Sequence, residues 1–599
     1  MSFFDEASWV LIPEGIKEDV VYAQKPTNGL GDLTFTRASD ATRTNSAGVI
    51  ERTPWNLVTW SEMFSDVAWA KTDAAISANT TTAPNGTLTA DKLTPNTTST
   101  NHILSQTGFT FLSGISYTFS YYAKSDGYTK TAIRIGGAGY AAVPRAEINL
   151  ATGAIIYQQG FSNLSVTSAA NGFYRISGTF ISGTGLVPNI QPLSDSYTVS
   201  INNYVYAGDG TSGIIVWGAQ LVEGTSALDY FPTTNRQDVP RIDFRNADGT
   251  LSSCGRLLLE PQRTNSIRNS TMVGAVAGTP GTLPTNWGAS SVGLTQSIIG
   301  TGVEAGLTYI DVRFSGTNTG VNAQILFENQ TAITATNAQT WAGSFWFKII
   351  SAPTPPVSYQ IRFREGTAAG TFVADGLSTF VPSTNFQRFA YVRTNTGALT
   401  ERIQTAVLFN LTNGATYDFT IRIAAPQMEL GAYATTWVPT TTAAVTRIAD
   451  TASKTGVSSL IGQTEGTFYT EIQISQASAR AIFSLDIGTT TNYIAAITNA
   501  TNQVRLQVAQ AGSATTLITS TALTIGSHKL AFSYKSGDYA LYIDGVQAGV
   551  SASTNFPIGT LSQIVLASVG YGQLNDGYTQ AALFPTRLTN AQLAQLTTL

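Results

Sequence analysis

Side chains able to do acid–base or nucleophilic chemistry are scarce in this 599-residue chain: it has two histidines, His102 and His528, one cysteine, Cys254, and only 12% charged residues. A Ser/His/Asp or Cys/His site needs such groups to converge. His102 and His528 fall in different predicted domains and Cys254 in a linker, so no catalytic residue is expected. A single cysteine also excludes an intrachain disulfide and CxxC-type zinc or redox sites. Glycoside hydrolysis needs two carboxylates about 5 to 9.5 Å apart. The C-terminal stretch has no E-x-D-x-E run; Glu465 and Glu471 are six positions apart, and Asp486, Asp538 and Asp544 fall at turns or strand ends, where turn chemistry accounts for them. One polar loop stands out, G-Y-G-Q-L-N-D-G-Y-T, in which Asn575 and Asp576 lie between Tyr571 and Tyr578. It offers oxygen atoms to Ca²⁺ and ring faces to a sugar, which makes Tyr571, Asn575, Asp576 and Tyr578 the candidate glycan-binding residues. The plainer reading is an N-D-G turn joining two strands. Apart from that Ca²⁺, no metal or cofactor is expected.

The elements that must position these residues are strands. The chain is rich in Thr, Ser, Ala, Gly and Asn, with aromatics at 10%, a mixture that favours short strands and tight turns. Its length implies three or four domains. The stretch W-G-A-Q-L-V-E-G-T-S-A-L-D-Y-F-P-T-T, from Trp217, returns as A-A-P-Q-M-E-L-G-A-Y-A-T-T-W-V-P-T-T, from Ala424; Gln220 and Gln427, Gly224 and Gly431, and Pro232 and Pro439 keep one offset of 207 (427−220, 431−224, 439−232). Upstream, Glu51 and Asn56 match Glu260 and Asn265, the strand ending at Lys124 matches that ending at Lys348, and Arg175 matches Arg388, with drifting spacing. Loops that change length between two copies of a β-domain produce this pattern, and a period near 200 is too long for a solenoid unit.

The expected fold is therefore all-β, a tandem of β-sandwiches: a short N-terminal arm and hairpin (1–48), a first sandwich (49–240), a linker hairpin and a second, homologous sandwich (241–446), and a third (447–599). The hairpin about Ala247-Asp248-Gly249 has a counterpart in F-T-R-A-S-D plus G-V-I-E, Phe35 to Glu51, so it belongs to the repeating unit. In the third domain, His528 to Val550 reads as three consecutive antiparallel strands about S-G-D and Asp544-Gly545. Thr589 followed by Gln592, with Leu593 and Leu596 on one face, predicts a capped terminal helix. The arm is read either as packed on the first sandwich or as an anchor into a larger assembly through Phe3, Phe4, Trp9 and Leu11. Trp55, Trp60 and Trp69 are a possible sugar-stacking surface, although rings at the start of a domain more commonly plug its core.

The motifs N-L-V-T-W-S-E-M-F, A-W-A-K, Y-T-F-S-Y-Y-A-K, F-Y-R-I, W-G-A-Q-L-V-E-G and Y-F-P-T-T resemble the carbohydrate-binding-module-like jelly rolls of tailed-phage fibre and virion proteins. V-T-R-I-A-D, H-K-L-A-F-S-Y, L-Y-I-D-G-V and F-P-T-R-L-T-N-A-Q-L resemble the concanavalin-A-like, laminin-G-like sandwich found with them. The resemblance spans roughly residues 49 to 599, and its motifs describe core strands and turns rather than a ligand site. It implies a virion structural protein, a homotrimeric fibre presenting sandwiches to host surface glycans and joined to other virion proteins through its arm. The alternatives are a capsid decoration or head fibre without receptor binding, and a polysaccharide-degrading tailspike. A net charge of −4 with no basic run argues against nucleic acid as partner. With no basic leader and no apolar run of about 18 residues, the expectation is synthesis in the host cytoplasm, no membrane insertion, and a final place on the virion surface.

Overall fold

The computed structural model describes residues 2–13, 15–53, 56–109, 111, 115–138, 142–182, 184–197, 204–234, 238–566 and 576–598. The chain is all-β, with antiparallel ladders and one C-terminal helix of more than a turn. It divides into two compact units, Thr53–Val239 and Met1–Arg52 with Pro240–Leu599.

Thr53–Val239 is a sandwich of two six-stranded sheets. Its central strand, Ser116–Asp126, is flanked by Tyr174–Ile181 and Gly213–Glu223. Side chains alternate between faces along a strand, so Tyr117, Phe119, Tyr121 and Ala123 enter the core, leaving Thr118, Ser120, Tyr122 and Lys124 on the outer face. Asn56 ties the sandwich together: its amide donates to the Ala219 and Phe231 carbonyls at 3.1 and 2.8 Å, and its carbonyl accepts from the Val58 and Leu221 N–H groups.

The second copy, within the other unit, repeats this frame. Thr340–Thr354 is its central strand, between Gln387–Thr394 and Thr416–Leu430. Asn265 donates to the Pro426 and Val438 carbonyls and accepts from Ile267 and Met428. Gln220 donates to the Asp229 carbonyl at 2.9 Å and Gln427 to the Thr435 and Thr436 carbonyls. Even the β-bulge recurs, after Ser120 in one copy and Ser344 in the other. Opposite it, Gly218 and Ala425 share a left-handed backbone, with φ of 60° and 48°. Duplication predicted from one offset is thus a duplication of hydrogen-bonded structure.

The C-terminal sandwich takes strands from three parts of the chain. One sheet carries Arg241–Arg245 and Leu251–Leu259 beside Asp576–Phe584 and Glu465–Ile474, with Trp9–Leu11 also on Asp576–Phe584. The other carries Ile16–Lys17, Val20–Val21 and Leu33–Thr36 beside Thr451–Thr455. The arm therefore completes the last sandwich and not the first, and Trp9 and Leu11 are fully buried in its core. This corrects the expectation of a protruding anchor for those two residues: open strands at 451–455 and 576–584 are paired by the arm, which satisfies their backbone groups. Phe3 packs edge-on against Phe584, and Phe4 is the exposed ring. The predicted hairpins form as Gly526–Lys535, Tyr539–Ile543 and Val546–Ser551. In the helix Asn590–Thr598, Thr589 and Gln592 cap each other reciprocally, and Leu593 and Leu596 are buried.

Where arm, linker hairpin and C-terminal sandwich meet, three buried arginines share two buried carboxylates. Arg241 and Arg447 pair with Glu260 at 2.6 and 2.7 Å, Arg37 pairs with Asp450 at 3.1 Å, and Arg241 reaches Asp450 as well. Burial alone would raise the Glu260 carboxyl, but Arg447 and Arg241 outweigh it and hold it down at about 2. The arginines come from T-R-A-S-D, V-P-R-I-D and V-T-R-I-A-D, three related segments far apart in sequence.

Candidate functional site

The predicted glycan loop is only partly within the described residues. Tyr571 and Asn575 lie outside them, and for Asp576 the structure gives backbone only, paired with Leu259. Tyr578 is fully buried and donates its hydroxyl to the Ile482 carbonyl. Its place as a glycan contact is therefore corrected: the strand Asp576–Phe584 runs through the sandwich, and alternation turns Tyr578 into the core. Trp55 also lies outside the described residues, whereas Trp69 is a core side chain whose indole donates to the Trp60 carbonyl. Among the described residues there is no group of three or more His, Cys, Asp and Glu side chains that could hold a metal.

The other chemistry-bearing residues are held in structural contacts. His102 has its ring nitrogens against the Asp73 and Tyr206 carbonyls. His528 bridges Asp544, at 2.6 Å, and the Thr524 carbonyl, at 3.0 Å. Glu465 pairs with Lys535, and Glu471 accepts from Ser527 and Gln580. Both glutamates sit on Glu465–Ile474, so six residues of extended chain put them about 20 Å apart, beyond the span of a glycosidase pair. Cys254 is exposed on the hairpin strand Leu251–Leu259.

The open polar surface of the first sandwich lies elsewhere, on the outer face of its sheet. Asn163–Ser168 pairs as an edge strand with Tyr174–Ile181, setting Asn163 beside Thr179, Ser165 beside Ser177 and Thr167 beside Arg175. The loop from Thr225 to Ala227 closes one side, giving a groove of about 310 Å³. Its floor is internally satisfied: Thr118 and Thr179 hydroxyls meet at 2.8 Å, Thr179 donates to the Thr225 carbonyl, and Asn163 donates to the same oxygen at 2.9 Å. Arg175 braces one end, donating to Ser120, to Gln220 at 2.7 Å and to the Leu228 carbonyl at 2.6 Å. The hydroxyls of Ser165, Thr167 and Ser177 make no hydrogen bond among the described residues and face the groove. Beside it, Trp217 is buried against Tyr122 and Tyr230, ring centroids 5.2 and 4.7 Å away. These rings stiffen the wall more than they offer a stacking platform.

The groove exists because of an insertion. Lys124 to Arg175 spans 51 positions and Lys348 to Arg388 only 40 (175−124 and 388−348). The extra length includes Asn163–Ser168, and the equivalent five-stranded sheet of the second copy has no such edge strand. That difference in spacing was the one sequence signal for the site.

No family model and no curated protein matches the chain. Among solved structures, it is similar to the CBM40 of the Ruminococcus gnavus IT-sialidase, at 12% identity over 23% of this chain and 84% of that one, with a TM-score of 0.20. It is similar to the tandem CBM22-1-CBM22-2 domain of Paenibacillus barcinonensis Xyn10C, at 9% identity over 61% of this chain and 94% of that one, with a TM-score of 0.23. It is also similar to the enzymatically active domain of tailspike protein 4 from bacteriophage CBA120, at 14% identity over 24% of this chain and 20% of that one, with a TM-score of 0.17.

Proposed function

We propose that this protein is a structural, glycan-binding component of a tailed-phage particle, a fibre that presents β-sandwiches to host-surface saccharides. The observation that carries the glycan reading is the outer-face groove of the first sandwich, where Ser165, Thr167 and Ser177 offer hydroxyls with no partner among the described residues. A groove lined by hydroxyls, with the single cation Arg175 tied back at one end, matches the many weak donors and acceptors of a sugar, and the bonded Thr118–Thr179 floor leaves those three hydroxyls facing outward. Placement on a virion, and association in threes, rest on the resemblance of the repeated motifs to phage fibre proteins.

The test is saccharide binding by the full chain, measured on a glycan array and by calorimetry, alongside Ser177→Trp. That substitution fills the groove from a half-exposed outward position without entering the core, so bound saccharide should be lost while thermal unfolding is unchanged. A wild-type chain that binds no saccharide, or an S177W chain that binds equally well, defeats the reading. Labelling of intact particles and competition with phage for host cells test the placement separately, and light scattering tests the trimer.

A further inference from the structure

The second copy and the C-terminal sandwich belong to one compact unit, and within it the linker hairpin lines a half-open cavity of about 420 Å³. Arg245, Arg256 and Arg388 line it. The Arg245 guanidinium lies over the Trp346 ring, 4.4 Å from its centroid, and Trp346 is the cross-strand neighbour of Arg388. One guanidinium thus lies over the indole, and the second arginine is its register partner on the next strand. Arg388 donates to Ser344 at 2.8 Å, and its Nε is buried without a partner. Neither Arg245 nor Arg388 forms an ion pair among the described residues, and the Arg245 guanidinium makes no hydrogen bond there.

The carboxylates lining the cavity are engaged otherwise. Asp243 accepts from the Thr44 and Arg245 backbone N–H groups at 2.7 and 2.8 Å. Asp248 is turned to Thr250, and Glu260 is held by Arg241, Arg447 and Thr436. Arg256 donates to Asn246 and to the Arg245 carbonyl, fixing the base of the hairpin. Burial, and then the like charge of Arg388, push Arg245 down to about 10; burial likewise lowers Arg388. Both groups remain cationic at neutral pH; Asp243 and Asp248 attract Arg245, and Glu429 and Glu260 attract Arg388, from a distance, but no carboxylate pairs directly with either guanidinium among the described residues.

We propose that this cavity is an oxyanion site, in which Arg245 and Arg388 take the carboxylate of an acidic sugar residue or a free phosphate-type anion. Guanidinium groups bind oxyanions through paired, charge-assisted hydrogen bonds, and a cavity of this volume falls in the range of small-molecule sites, about 300 to 1,000 Å³. Gln473 on its wall supplies a further polar group for a ring bearing that anion. The site is independent of the groove in the first sandwich.

The experiment is calorimetry on the full chain with glucuronate, glucose and inorganic phosphate, repeated on Arg245→Gln, Arg388→Gln and Ser177→Trp. Glucuronate should show a binding component that glucose lacks; each arginine substitution should weaken that component at least tenfold, whereas S177W should remove only saccharide bound in the first sandwich. Phosphate binding without glucuronate binding, lost in R245Q, supports the oxyanion site and assigns it to a free anion. If R388Q proves misfolded by circular dichroism, R245Q, on the hairpin and away from the Ser344 contact, decides alone. Failure of both anions to bind the wild-type chain, or binding indifferent to R245Q, overturns the proposal.

Discussion

Arg175 and Arg388 leave equivalent strands and donate to equivalent serines, Ser120 and Ser344, yet what lies over them differs. In the first copy the outer face carries an inserted edge strand and an open row of hydroxyls. The second lacks that strand; both copies carry an apolar cluster on this face, Tyr122, Trp217 and Tyr230 in the first and Trp346, Ala424 and Trp437 in the second, but only in the second does the hairpin lay an arginine, Arg245, on it. A duplicated frame therefore does not carry a duplicated site. The Asn, Gln and bulge geometry inside each sandwich is a folding requirement, whereas the outer face is free to change with whichever segment is added at its edge.

The comparison is broken most severely at the buried ion cluster, which seats the second copy's unit and has no described equivalent in the first. Arg241→Ala leaves Glu260 and Asp450 short of a partner and should cost roughly 3–5 kcal/mol, the range for breaking a buried pair. Hydrogen exchange should show protection lost around 37–52, 240–262 and 447–455, and unchanged across 53–239. Acid makes the same distinction. Glu260 is depressed to about 2 in the folded state, so its contribution is present above an unfolded value of about 4.5 and is lost as pH falls through 2; a shift of that size corresponds to about 3 kcal/mol. In Thr53–Val239, the buried carboxyls Glu147 and Asp91 are raised by burial, so their protonation favours the folded form, and the one lowered carboxyl among the described residues there, Asp209, is held down by Ser212 and Thr211 at an exposed turn. Acid titration followed by hydrogen exchange should therefore loosen the larger unit first; simultaneous loss, or loss in 53–239 first, would contradict the cluster's role.

Within the frame, the two copies should respond alike. Asn56→Ala and Asn265→Ala each strand four backbone groups, and each should cost about 2–3 kcal/mol, read as exchange confined to 53–239 in one variant and to 263–446 in the other. The smallest test lies at the shared bulge. Gly218→Ala puts a side chain at a φ of 60°, with its Cβ 3.0 Å from the Tyr122 ring, and should cost about 1–2 kcal/mol. Ala425 already sits at a φ of 48°, and Ala425→Gly should change stability by less than about 1 kcal/mol. Denaturant unfolding measures both.

The all-β class, the hairpins after His528 and the capped helix at Thr589 were legible because each depends on residues near one another, through alternation, turn chemistry and a capping pair, and the duplication because two segments repeat at one offset. The repeated Asn and Gln could be aligned from their offsets, although only the four backbone partners of each asparagine, and the backbone carbonyls that each glutamine reaches, explain why those residue types stand there. What the chain alone determined, then, was local form and internal homology. The tertiary structure decided where that form was spent. It sent the arm of Trp9 and Leu11 to the last sandwich, turned Tyr578 inward, gathered Arg37, Arg241 and Arg447 on two carboxylates, and left the 163–168 strand at an open edge. Strand pairing is non-local: backbone groups accept any extended partner, so the choice of neighbour is made by which faces and edges remain to be covered once the sheets assemble.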